Sequence, residues 1–152
     1  MNEYELPYSN LTLDEALARF RRENHLDEKY LTMTSEAQLR YERHDMIHVL
    51  FGLDTSMRHE AKADGWTLLA SDLRWKDLRE VLNGEEEKEL VAELGWRSIA
   101  LAYLRGVPDF LRMAWQSRKL RKKWPWGDNN AYRNVRVEDI RREFGILEAL
   151  AA

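Results

Sequence analysis

Four side chains in this sequence have the types and spacing to hold a cation: His44, Asp45, His48 and Glu60, in the run His44-Asp45-Met46-Ile47-His48 with eleven residues between His48 and Glu60. On a helix each residue turns by about 100°, so with His44 at zero, His48 lies at about 40° and Asp45 at about 100°. All three then share one arc. If a short turn folds the next helix back, Glu60 in its first two turns can face the same arc. Two imidazoles and one or two carboxylates suit zinc, iron or manganese, with zinc favoured for this donor set. The bland alternative is a solvated or hydrogen-bonded histidine pair. The segment from Met46 to Leu53 weighs against it, because it is apolar around most of its circumference and unpaired polar groups are costly to bury there. A carboxylate left off the ion, Asp45 or Glu60, can move a proton, so these two are the candidate catalytic groups. His25 and His59 read as surface or structural histidines.

The elements that must position these groups follow from caps and periodicity. Thr12-Leu13-Asp14-Glu15 is a capping box, and Leu13, Ala16, Leu17 and Phe20 recur at helical spacing after it. A second helix is expected from near Ser35, with Gln38 as capping partner, to about Leu53, closed by Gly52. Asp54 or Thr55 caps a third, from about Ser56 to Ala70. A short helix is expected over Leu73–Leu82 and a longer one over Glu85–Arg105, with a break at Gly106-Val107-Pro108. Pro108 and Asp109 open another that ends near Lys123, and Val137–Glu143 is the last, stopped by Gly145. The expectation is an all-α fold: residues 1–152 as one compact bundle of about six helices, with the metal site between two adjacent helices.

Composition narrows the function. There are no cysteines, which removes disulfides, thiolate catalysis and Cys-based zinc sites. The net charge of -3 argues against general nucleic-acid affinity. The acidic, polar stretch Met1–Asn10 reads as neither signal nor transit peptide, and no long uncharged apolar run is present, so a cytoplasmic location is expected. Phe110 to Gly127 contains no acidic residue but carries Arg112, Arg118, Lys119, Arg121, Lys122 and Lys123 among Phe110, Leu111, Met113, Trp115, Trp124 and Trp126. One reading is a core helix with Phe110, Met113, Ala114, Ser117 and Leu120 inward. The other is an interfacial helix, Phe110–Trp126, with its cations on anionic headgroups. Trp66, Trp75 and Trp96 read as core or rim packing.

Two known chemistries come near the motif. Zincin proteases place Glu where this chain has Asp45, and their third-ligand signatures are absent. A metal-dependent phosphohydrolase arrangement of His25, His44-Asp45 and Asp109 leaves His48 and Glu60 idle. The motif resembles instead the signature of the Coq-four family of ubiquinone (coenzyme Q) biosynthesis proteins. Glu42 precedes the pair, Val49-Leu50-Phe51-Gly52-Leu53 resembles the apolar segment after the second histidine, and Ile140-Arg141-Arg142-Glu143-Phe144-Gly145-Ile146 resembles the closing motif. The likeness spans roughly residues 34–148, and the stretch before the motif is short, without much of the family's N-terminal helical region. The resemblance implies an all-α fold, a zinc-type site, and action on the aromatic head of a quinone precursor by removal of a ring carboxylate with hydroxylation at that carbon. It also implies a polyprenyl-lipid partner, peripheral association with the inner face of a membrane, pairing of subunits into a homo-oligomer, and a role in organising the biosynthetic complex. The alternative is a non-catalytic, metal-stabilised lipid-binding or scaffold protein of the same fold.

Overall fold

The computed structural model describes residues 6–74 and 96–152, with side chains described over 6–74 and 106–152. Among the described residues there are seven α-helices and no strands: α1 (Leu13–Glu23), α2 (Asp27–Thr32), α3 (Ser35–Phe51), α4 (Met57–Ala70), α5 (Trp96–Gln116), α6 (Val137–Phe144) and α7 (Ile146–Leu150). The fold is all-α, as the patterning requires. No helix among these residues is long and apolar enough to cross a membrane. The helices expected over Leu73–Leu82 and Glu85–Arg105 fall largely outside the described residues.

α3 is the central element, packed by α1, α4, α6 and α7. Its sequence explains why: every residue from Asp45 to Phe51 is buried, so this half of the helix needs neighbours on all sides. α1 supplies Leu13, Ala16, Leu17 and Phe20, α4 supplies Ala63, Trp66 and Ala70, and α6 supplies Val137, Ile140 and Phe144. Phe51 stacks on Trp66 with ring centres 4.4 Å apart, fastening α3 to α4. Gly65 admits α5 to α4, since a Cβ there would collide with Met113 Cε.

Local signals set the helix ends. Thr12 Oγ1 accepts from the Glu15 amide while the Thr12 amide donates to Glu15, completing the capping box. α3 starts at Ser35 as expected but is capped by the residue before it: Thr34 Oγ1 accepts from the Ala37 amide, and Gln38 instead donates to the Tyr30 carbonyl. Ser56 occupies the N-cap of α4 without a side-chain bond, and Asp54 Oδ1 takes the Ser56 amide. Gly52 (φ +66°) ends α3 and Gly145 (φ +74°) ends α6, both left-handed.

Two expectations fail. Gly106-Val107-Pro108 does not break the chain; α5 runs through it with Pro108 inside. The proline costs one backbone hydrogen bond, and packing of α5 along α4 offsets it. That helix also stops at Gln116 rather than near Lys123. After the 3-10 turn Ser117–Lys119 the chain crosses the bundle, where the Arg121 amide donates to the Phe144 carbonyl and the Trp124 amide to the Ala70 carbonyl. This crossing buries Trp124 and Trp126.

Candidate metal centre

His44 and His48 project from the face of α3 that meets α4. Their rings lie edge to face with centres 4.9 Å apart. The left-handed turn at Gly52 and the short link to Ser56 reverse the chain, and Glu60 in the first turn of α4 comes back beside His48: His48 Nε2 lies 3.4 Å from Glu60 Oε2. His44, His48 and Glu60 each offer a ligand atom within 4.8 Å of the other two, so this cluster can hold a metal ion. Burial is graded, with the His48 side chain 1 % exposed, that of His44 24 % and that of Glu60 42 %. Phe20 lies over the His48 ring at 5.4 Å, closing the inner side. His48 Nδ1 is buried with no hydrogen-bond partner among the described residues, so this imidazole makes its polar contact through Nε2.

The donor set fits a divalent cation. A buried imidazole, a half-buried imidazole and a carboxylate converge from two helices at one end of an apolar interface. This is the two-histidine, one-carboxylate chemistry that zinc and non-haem iron sites use.

Asp45 is not among the converging groups. Its position about 100° round the helix turns it toward α1 and α2, where Oδ2 accepts from Tyr30 Oη at 2.5 Å and from Arg21 Nε at 3.3 Å. Arg21 also donates to Glu42 at 3.0 Å, and Glu42 is held on its other oxygen by Arg133, which in turn reaches Asp14. Asp45 is therefore spoken for by a structural network rather than by the cation site. Burial raises its pKa, against the pull of Tyr30 and Arg21. Glu42 goes the other way: burial opposes ionisation, but Arg133 and Arg21 together hold it below the usual carboxylate range.

At the cluster itself, burial pushes the His44 pKa down, yet the hydrogen bond and charge of Asp64, with Glu60 and Asp45 behind it, leave it raised. Burial works against ionised Glu60, but His48, His44 and Lys29 outweigh it and the pKa is lowered. Asp64, whose Oδ1 lies 3.2 Å from His44 Nε2, escaped the sequence reading. The signal was its place four residues after Glu60, on the same face of α4.

The remaining histidines are elsewhere. His59 Nδ1 accepts the Asp54 amide in the α3–α4 turn, and His25 sits in the turn after α1 with φ +56°. Asp109 pairs with Arg58 at 3.2 Å, so the phosphohydrolase-type arrangement of His25, His44-Asp45 and Asp109 does not assemble. No family model matches the chain, and comparison with curated proteins and with solved structures finds no match.

Proposed function

We propose that the chain binds a divalent cation, zinc by the preference of the donors, through His44, His48 and Glu60. We propose further that this centre serves the ring chemistry of a quinone precursor, the function that the resemblance to the Coq-four family implies. The observation that carries the cation reading is the convergence of the three donors within 4.8 Å around a histidine that is 1 % exposed. When bound, such an ion supplies Lewis-acid stabilisation of negative charge on a ring carboxylate or phenolate. His48 fixes the inner side, held by Phe20, while His44 and Glu60 face the open side where an aromatic acid can approach. Glu60 is held to the ion in this reading, and Asp45, turned to Arg21 and Tyr30, is not placed to move a proton there.

A metal-stabilised scaffold or lipid-binding protein is the second reading, and one observation favours it. A half-open cleft of about 240 Å³, lined by Pro7, Tyr8, Phe20, Glu23, Asn24, Gly52, Leu53 and Asp54, touches the centre only through the Phe20 ring. Complementation of a ubiquinone-deficient strain separates the two. The native chain restores quinone synthesis and Glu60→Ala does not if the centre is catalytic; restoration by both supports the scaffold, and by neither removes the pathway assignment.

Peripheral membrane association belongs to the same proposal, on a narrower footing than the sequence suggested. Trp124 and Trp126 are buried and cannot enter an acyl boundary. Lys122 is paired with Glu143 and Arg121 with Glu148. What supports an anionic surface is the outer side of α5, where Leu111 and Trp115 are exposed beside Arg112.

A further inference from the structure

The register of α3 against α4 sets a second facing pair beside the first. His44 and His48 are four residues apart on α3, and Glu60 and Asp64 four apart on α4, so each pair shares one helix face. The reversal between the helices matches them crosswise: His48 Nε2 to Glu60 Oε2 at 3.4 Å, and His44 Nε2 to Asp64 Oδ1 at 3.2 Å.

We propose that Asp64 is the fourth protein donor of the cation site, in the place that the sequence spacing gave to Asp45; the inference rests on the cation reading above. Donors about 2.0–2.1 Å from a tetrahedral zinc are about 3.3–3.4 Å apart, close to the separation of both facing pairs, although Asp64 stands outside the set of donors that lie within 4.8 Å of one another and must swing inward to join it. Asp45 is committed to Arg21 and Tyr30. The Asp64 carboxylate is engaged by His44 and by no other described residue, and its side chain is 61 % exposed, so it is free to close onto an ion. Charge agrees. Two carboxylates and two neutral imidazoles bring a dication to zero net charge, which a half-buried site favours over the residual charge left by one carboxylate.

The test uses the full chain stripped of metal and reloaded. Zinc affinity is measured by competition with a chelating dye, and the cobalt(II) form is examined by visible absorption. The expected result is that Asp64→Asn weakens zinc binding about tenfold or more and changes the cobalt absorption, that Asp45→Asn changes neither, and that His48→Ala abolishes binding. If Asp64→Asn weakens binding but leaves the cobalt spectrum as in the native chain, Asp64 positions His44 and is not a donor. If Asp64→Asn binds as the native chain does while His48→Ala fails to bind, the site has three donors and the inference falls alone. If His48→Ala binds normally, the cation reading itself falls. Asp64 lies on the surface, so its variant keeps the fold, which the far-ultraviolet dichroism of the same samples checks.

Discussion

Arg141 offers the sharpest test of how α3 is held in place. Its side chain is fully buried with no carboxylate of a described residue bonded to it, and all of its nitrogens are used. Nε donates to the Leu50 carbonyl at 2.8 Å, Nη2 to those of Val49 at 2.7 Å and Pro7 at 2.9 Å, and Nη1 to Ser9 Oγ at 2.9 Å. Val49 and Leu50 are in the last turn of α3, whose carbonyls have no partner within the helix, so the guanidinium caps the helix that carries His48. Burial lowers the Arg141 pKa to about 10, which leaves it protonated at neutral pH. Four hydrogen bonds to a charged donor are worth about 6–12 kcal/mol gross, at about 1.5–3 each, and desolvation of the cation removes several of these. Arg141→Met keeps most of the apolar volume but strands the Leu50 and Pro7 carbonyls and leaves that of Val49 to the Gly52 amide at 3.4 Å, and the expected net loss is about 3–5 kcal/mol. Urea denaturation followed by far-ultraviolet dichroism reads this as a fall in midpoint at unchanged slope. Arg141→Lys keeps the charge but not the fork, and it should recover less than half of the loss. A loss below about 1 kcal/mol for Arg141→Met would show that desolvation cancels the hydrogen bonds, and the clamp would be refuted.

Other outcomes follow from particular contacts. Gly145→Ala should cost about 2–4 kcal/mol, because φ is +74° and the new Cβ would meet the Lys119 carbonyl oxygen at 2.8 Å. Gly52→Ala should cost less, about 1 kcal/mol, because its nearest obstacle is the movable Leu6 side chain. Equal losses in a thermal melt would contradict the difference. At neutral pH Glu42→Gln should destabilise by about 1–3 kcal/mol and Asp45→Asn by less, since Arg133 and Arg21 favour ionised Glu42 while burial disfavours ionised Asp45. With its folded pKa depressed, Glu42 contributes stability that is present above its unfolded pKa and lost as pH falls through the folded one. The native chain and Glu42→Gln should therefore converge in acid; a gap independent of pH would refute the ionic account. Binding to anionic vesicles should weaken with salt and with Arg112→Glu, whereas equal recovery with neutral and anionic vesicles would remove the membrane proposal.

How much of this was legible in the sequence depended on how local the cause was. The capping box at Thr12, the left-handed stops at Gly52 and Gly145 and the burial of Met46 to Phe51 are written within a few residues of where they act. So is the shared face of His44 and His48, which helical spacing alone dictates. Asp45 was misjudged because about 100° of rotation leaves a side chain on the border between two neighbours. Arg21 and Tyr30, from α1 and α2, decided which side it took. Pro108 and the two tryptophans failed for the same reason. Whether a proline is tolerated, and whether Trp124 faces lipid or core, depends on α4 and on the chain crossing beside Phe144. α2, six residues long and without a buried side chain, has too little periodicity to announce itself.

Elemental analysis of the purified chain beside His48→Ala tests most directly whether His44, His48 and Glu60 form a cation site. The expected result is about one divalent ion per native chain, none in the variant, and a thermal midpoint that chelation lowers for the native chain alone. A native chain that carries no ion after incubation with zinc, and melts as the variant does with or without chelator, would contradict it.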